Sequence, residues 1–349
     1  MSMPSLIAWR STCLRNYALV NQHIRGSLLV LLSRFFPDPT AFLQAMVPWS
    51  ALIVGESALS HILRDQSICK FTLELAIGNL FFRPFVECIS RLLPLGSHLA
   101  TITVKPAPDG FPFHRHITRI AEFHLTSGLL IVLYESSTPS ACDVVSGYWT
   151  TALMNFVTAF TLGCAYPRLT FNRLSLLSDS RSHAMAWWDH DMAIRLEHLN
   201  FQFDFRPDSW PLYKGMLSPS SSRSPTPIDG CGKALYICPL QSRYFGDPGS
   251  LVLFFDGFYV DIEDLRDLGV APYGPMVAWR LPSMGTCDGD CINDGRILPP
   301  FVMSMLAQFA DDNTDFVRPH EVLYTISNPD SHFPIVMPPV RQRSRRYSM

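Results

Sequence analysis

The sequence predicts layered helices and strands, of the α/β or α+β kind, on three observations. Hydrophobic residues make up 48% of the 349 positions and charged residues 17%, the balance of a folded chain that buries a sizeable core. Between residues 41 and 165, helix-compatible and strand-like segments follow one another, which is what packed layers of the two require. No internal repeat turns the chain into a solenoid. A chain this long holds one large domain or two ordinary ones.

Residues 4–36 read as two or three short helices, with apolar residues at mixed three- and four-residue spacing in "LIAWRSTCLRNYALVNQHIR". The prolines of "FPDPT" at 37 and 39 stop that run. "AFLQAMVP" is a short helix, "SALIVG" a strand, and a helix runs from Ser57 to about Arg64. "KFTLELAIG" alternates Thr72, Glu74 and Ala76 with Leu73, Leu75 and Ile77, a strand pattern. "FRPFVECISRLLPLG" reads as a helix, with Pro84 near its first turn and Gly96 just past its end. Pro106, Pro108 and "DGFP" mark a loop, and "ITRIAEFHL" and "GLLIVLYES" form a hairpin through Thr126-Ser127-Gly128. "YWTTALMNFVTAFTLG" reads as a strongly apolar helix stopped by Gly163. Beyond about 181 the pattern loosens. A Ser/Pro-rich loop occupies 218–227, and "GSLVLFFDGFYV" is a strand that could turn at Asp256-Gly257.

The formal net charge of −2 gives no global attraction for nucleic acid or an acidic membrane, although residues 341–349 form a basic tail, read as a solvated terminus. Arginines 10, 15 and 25 interrupt the opening segment, and the apolar run Ser27–Phe36 is too short to span a bilayer. Nine scattered cysteines without a secretory leader predict reduced thiols and an intracellular protein, cytoplasmic or nuclear.

Several clusters carry candidate chemistry. "CDGDC" (Cys287, Cys291) with Cys231 and Cys238 lacks the spacing of zinc knuckles and reads as an acidic turn with packing thiols. "DGDCINDG" lacks the ligand order of a calcium loop. "WWDHD" (Trp187–Asp191) reads as the start of an amphipathic helix, and "HRH" (His114–His116) as solvent-facing loop. No hydrolase elbow, P-loop or dinucleotide fingerprint is present.

The order helix, strand, Gly-x-Ser, helix, acidic strand, helix, hairpin resembles the nucleotidyltransferase fold. The wording is also similar to a family of mushroom-forming fungi with an F-box-like N-terminal segment and a degenerate nucleotidyltransferase-like core. "RSTCLRNYALVNQHIR", "LIVGESAL", "FTLELAIG", "SGLLIVLYES", "TALMNFVTAFTLGCAYPRLTFNR" and "YICPLQSRYFGDPGSLVLFFD" carry that likeness. The resemblance implies an α+β fold: a mixed sheet flanked by helices, with an N-terminal helical segment and a strand-containing C-terminal extension. It divides the chain into a helical remnant (1–36), a core (37–180) and an extension (181–349).

In active members of that fold, Gly-Ser grips a triphosphate at a helix start, and three carboxylates hold two Mg²⁺ ions. The matching positions are Gly55 and Ser57 for the grip and Thr72 and Glu74 for the first carboxylate pair. Thr72 carries no charge, and the third position falls in Leu129–Leu133, which is wholly apolar; Glu122 and Glu135 do not clearly replace it. One carboxylate holds a metal pair poorly, so no catalytic residue, no metal and no cofactor is expected. Mg²⁺ and a nucleotide enter only if the chain is a transferase after all. Glu74 reads as an exposed strand residue and Ser57 as a helix cap, with the Glu56 carboxylate where a phosphate would approach. The site reads as a vestigial one in a non-catalytic recognition or scaffold protein with a protein partner. The F-box-like segment implies, as the alternative, a substrate receptor docked on a Skp adaptor of a cullin ubiquitin ligase, although the opening Leu-Pro-x-Glu is absent. Neither a membrane nor nucleic acid is expected as partner.

Overall fold

Ser2 and Asp38 open two of the first three helices. In the computed structural model, which describes residues 1–94, 96–107, 116–178, 187–217, 235–239, 241, 243–255, 277–279, 281 and 324–325, the Ser2 hydroxyl accepts from the Ser5 N–H ahead of α1 (Met3–Arg10). α2 (Leu14–Leu32) buries Val20, Ile24, Leu28 and Leu31, a single stripe at helical spacing. Asp38 caps α3 (Pro39–Met46) by accepting from Thr40 and Ala41 N–H at 3.0 and 2.9 Å. The proline expected to stop a helix thus begins one, at the position where its missing N–H costs nothing.

The next elements are β1 (Leu52–Val54), α4 (Gly55–Leu63), β2 (Thr72–Ile77), α5 (Phe82–Leu92), β3 (Leu99–Pro106), β4 (Ile117–Leu125) and β5 (Leu130–Ser136). They are followed by α6 (Cys142–Ser146), β6 (Asn155–Val157), β7 (Thr161–Cys164), α7 (Pro167–Thr170), β8 (Leu174–Leu176), α8 (Trp187–His198) and β9 (Gln202–Asp204). Last come α9 (Pro211–Leu217), β10 (Arg243–Tyr244), β11 (Leu251–Phe254), β12 (Val277–Trp279) and β13 (Tyr324–Thr325). Eight strands form one mixed sheet in the order β11-β7-β6-β1-β2-β5-β4-β3. Within it β2 and β5 run parallel and every other neighbouring pair runs antiparallel. The α+β class is thereby established, with helices on both faces.

The alternation along each strand separates two cores. Ile53, Leu73, Leu75, Ile77, Ile131 and Leu133 meet α1–α3 and α5 on one face. Leu52, Val54, Ala76, Val132 and Phe156 meet α6, α7, α8 and the β8–β9 pair on the other. The expected helix, α5, buries Phe82, Phe85 and Ile89. The sheet crosses the boundary drawn at 180: β11 pairs with β7, and Arg10 of α1 donates to the Phe254 carbonyl at 2.6 Å.

The large sheet departs from the sequence reading in two places. The segment 148–163 is not a helix. It makes a short 3₁₀ turn (Thr151–Leu153) and then the hairpin β6–β7. Both faces of this hairpin are buried, so no period-2 signal shows in the sequence, and an apolar run alone does not separate strand from helix. Its turn is fixed by Thr158, whose hydroxyl accepts from the Phe160 and Thr161 N–H groups. The other departure is β3, unread in the sequence. It is the sheet's edge, with β-branched Thr101–Val104 exposed on both faces and Pro106 closing it.

The helix beginning "WWDHD" and the strand 251–254 are present as expected. The loop 218–227, the tail 341–349, "CDGDC", Cys231, His114 and the turn at 256–257 lie outside the described residues. His116 corrects the reading of "HRH" as solvent-facing: its side chain is only 13% exposed and bonds to buried Asp143. Among the described residues no helix is long and apolar enough to cross a membrane.

Candidate functional site

The end of β1 delivers Gly55 to the first turn of α4 with φ +60°, in the left-handed region that glycine adopts without penalty. Space demands glycine as well, since a Cβ here would fall on the Glu74 carboxylate and crowd the Tyr148 hydroxyl. No side chain caps this helix from its N-cap residue, Val54. The exposed donor is met from the neighbouring strand: Glu74 Oε2 accepts the Glu56 N–H at 2.7 Å. Where the resemblance places a phosphate, the chain places its own carboxyl group, whose oxygen satisfies a backbone donor of the helix start.

Each expected site residue is therefore present in one cluster, with altered roles. Glu74 is not an exposed strand residue; it is 4% exposed. Its face of β2 is the one shared with Ala76 and covered by the second core, and the Tyr134 hydroxyl of β5 donates to Oε1 at 3.1 Å. Ser57 is not a cap. Its hydroxyl donates to the Thr72 carbonyl at 3.2 Å and accepts the Glu74 N–H at 3.0 Å, stitching α4 to β2. Thr72 takes part through that carbonyl, which the Cys69 thiol also approaches at 3.0 Å. Glu56 does not hold the phosphate position either. Its carboxylate turns to Arg195 of α8, with contacts of 3.1 and 3.4 Å.

Burial pushes the Glu74 carboxyl up to about 8, and the nearby charge of Glu56 adds to that; hydrogen bonds from the Glu56 N–H and Tyr134 and the charge of Arg195 oppose it. Burial raises Glu56 too, against the pull of Arg195. Farther along α4, burial and then the charge of Arg64 lower His61 to about 4, so its imidazole is neutral.

These residues do not fit a two-metal centre. The cross-strand partner of Glu74 on β5 is Val132. Glu135 is engaged by Thr118 and Arg119, and Glu122 by Lys105. A carboxyl with its pKa near 8, both oxygens already bonded, is a poor ligand for a cation that demands charged oxygens. Sequence reasoning missed Tyr134, Tyr148 and Arg195, because only the fold brings them to Glu74 and Glu56. The chain matches no family model, no curated protein and no solved structure.

Proposed function

We propose that this is an intracellular recognition or scaffold protein on a degenerate nucleotidyltransferase-like core, with its nucleotide cleft closed and inactive. The observation that carries the reading is the Glu74 carboxylate on the Glu56 N–H. A side chain that satisfies the helix start from within competes with any phosphate at full effective concentration, and it repels one by charge once ionised. The buried thiols Cys69, Cys142 and Cys164, none in a disulfide, support the intracellular placement. Calorimetry with ATP or CTP plus Mg²⁺ tests the closed cleft. No heat of binding is expected at millimolar ligand, and a saturable isotherm abolished by Ser57→Ala would show that the cleft is open to nucleotide after all.

A second reading, docking on a Skp adaptor, is favoured by one stripe on α2. Leu19, His23, Gly26 and Val30 line an open groove on the side facing away from the core, and Leu19 and Val30 are exposed. Removing residues 1–36 would take Val20, Ile24 and Leu28 out of the core, so the surface change Leu19→Asp with Val30→Asp is the cleaner probe. Adaptor recovered with the unmodified chain and lost with the double variant supports this reading; no adaptor recovered in either case sinks it.

A further inference from the structure

We propose that His116 and Asp143 form an acid–base pair at the carboxyl ends of β2 and β5, built to attack uncharged acyl compounds through the imidazole Nε2. The inference goes beyond the closed cleft and is independent of it, since neither residue touches Glu74.

The placement comes first. β2 and β5 are the parallel pair of the large sheet, and open sheets receive ligands beyond the carboxyl ends of such strands. There the β4–β5 register shifts: Ile117 stands opposite Ser136 and Arg119 opposite Glu135, with Thr118 as the extra residue. Irregularities of this kind re-aim side chains. This one sets Thr118 and Arg119 both on Glu135 and leaves His116 at the strand end, against α6.

The chemistry follows from the hydrogen bonds. Asp143 is fully buried. Its Oδ1 meets His116 Nδ1 at 2.8 Å, and its Oδ2 accepts from the hydroxyls of Ser137 at 2.8 Å and Ser136 at 3.4 Å. A carboxylate only accepts, so the proton of the neutral ring is assigned to Nδ1, and Nε2 keeps its lone pair. The Cδ2 edge of the ring lies against Gly147, where any Cβ would overlap it. With Nδ1 and Cδ2 both engaged, Nε2 is the ring nitrogen left to react, on a side chain that is 13% exposed. The His116 side chain is not needed to anchor the loop, because the Ser137 N–H already bonds the His116 carbonyl at 2.9 Å. Ser137 spends its hydroxyl on Asp143 and not on Nε2, so the imidazole itself is the nucleophile.

Two carboxylates, Asp143 and Glu135, against the single guanidinium of Arg119 disfavour phosphate esters and favour an uncharged acyl group. In the step proposed, Nε2 bonds to the carbonyl carbon of an ester. The C–O bond breaks, and the leaving oxygen takes the electron pair. The acyl-imidazolium keeps its Nδ1 proton on Asp143. Water then adds, the C–N bond breaks, the carboxylate departs, the protons brought by water pass to solvent, and the neutral ring returns.

The test uses the full chain with p-nitrophenyl acetate, following phenolate release. His116→Asn puts an amide N–H near the Nδ1 position and leaves the backbone bond from Ser137 untouched. It is expected to slow turnover about a hundredfold, the low end for a positioned acid–base group. Equal rates in the two proteins would overturn the proposal. Nitrogen-15 NMR of the unmodified chain needs no variant: the neutral form of the ring is expected to carry its proton on Nδ1, and a neutral form protonated at Nε2 would equally overturn it. Neither readout depends on the nucleotide calorimetry, so this proposal and the closed cleft fail separately.

Discussion

The Arg243–Asp247 pair and the Glu74 site both bury ionisable side chains, and they resolve the cost in opposite ways. Arg243 and Asp247 are both fully buried and join through two contacts, at 2.5 Å from Nε and 2.9 Å from the terminal nitrogen. The guanidinium further donates to the Tyr236 and Ala165 carbonyls and lies 4.6 Å over the Tyr166 ring. Burial works against the charged arginine, but the charge and hydrogen bonds of Asp247 outweigh it and raise the pKa. Glu74 is as thoroughly buried but has Glu56, a like charge, for a neighbour, and its pKa is driven up to about 8. Burial is the same in both places, and the sign of the partner decides whether the charge is kept or surrendered. The first site is a structural clamp. The second is a carboxyl that stays largely protonated at neutral pH and so remains seated at the start of α4.

The sharpest way to break the contrast is to remove the opposite charge at the clamp. Asp247→Asn leaves Arg243 charged, buried and without its counter-ion, a change that costs about 3–5 kcal/mol when one partner of a buried pair is lost. Urea denaturation at neutral pH should show the midpoint falling accordingly. A loss under about 1 kcal/mol would mean that the Tyr236 and Ala165 carbonyls suffice to hold the guanidinium.

Next in size is the pH dependence at Glu74. The folded-state pKa lies near 8, above that of a carboxyl in the unfolded chain, so the native state holds the proton more tightly. The stabilisation is complete below about pH 4.5 and is lost as pH rises through 8, at about 1.4 kcal/mol per pH unit in between. Glu56, raised as well, adds in the same direction over its own range. Glu74→Gln keeps a neutral acceptor for the Glu56 N–H and should flatten the slope, leaving the variant more stable than the parent at pH 9. Parallel stability curves for the two proteins between pH 5 and 9 would refute the assignment.

How much of this was legible in advance depends on what period-2 and helical patterns encode. They place Glu74 correctly on the face of β2 shared with Thr72 and Ala76, because alternation names the face. Alternation does not say what covers that face; here the cover comes from Tyr134 and Tyr148 and from Arg195, 121 positions away in sequence. Ser57 could not be told from a cap for the same reason, since its true partners are the backbone groups of β2. α2 and α5 were readable because each buries one stripe. β6 and β7 were not, because every residue in them is buried and the sequence shows no polar face to count against.

The smallest expected effect sharpens the comparison most finely. Arg195 reaches Glu56 from a helix that was assigned to the C-terminal extension, and its side chain is 51% exposed. A half-exposed arginine contributes at most about 1 kcal/mol to stability through such a pair, so Arg195→Ala should barely move the urea midpoint at pH 5. The electrostatic consequence is larger than the stability loss. Arg195 lowers the pKa of both Glu56 and Glu74, so without it both carboxyls should titrate at higher pH and the stability loss between pH 5 and 9 should steepen. A variant that loses stability equally at every pH would show that Arg195 only packs. One that matches the parent at pH 5 and falls below it at pH 8 would show that α8 supplies the counter-charge tempering an otherwise unpaired acidic site.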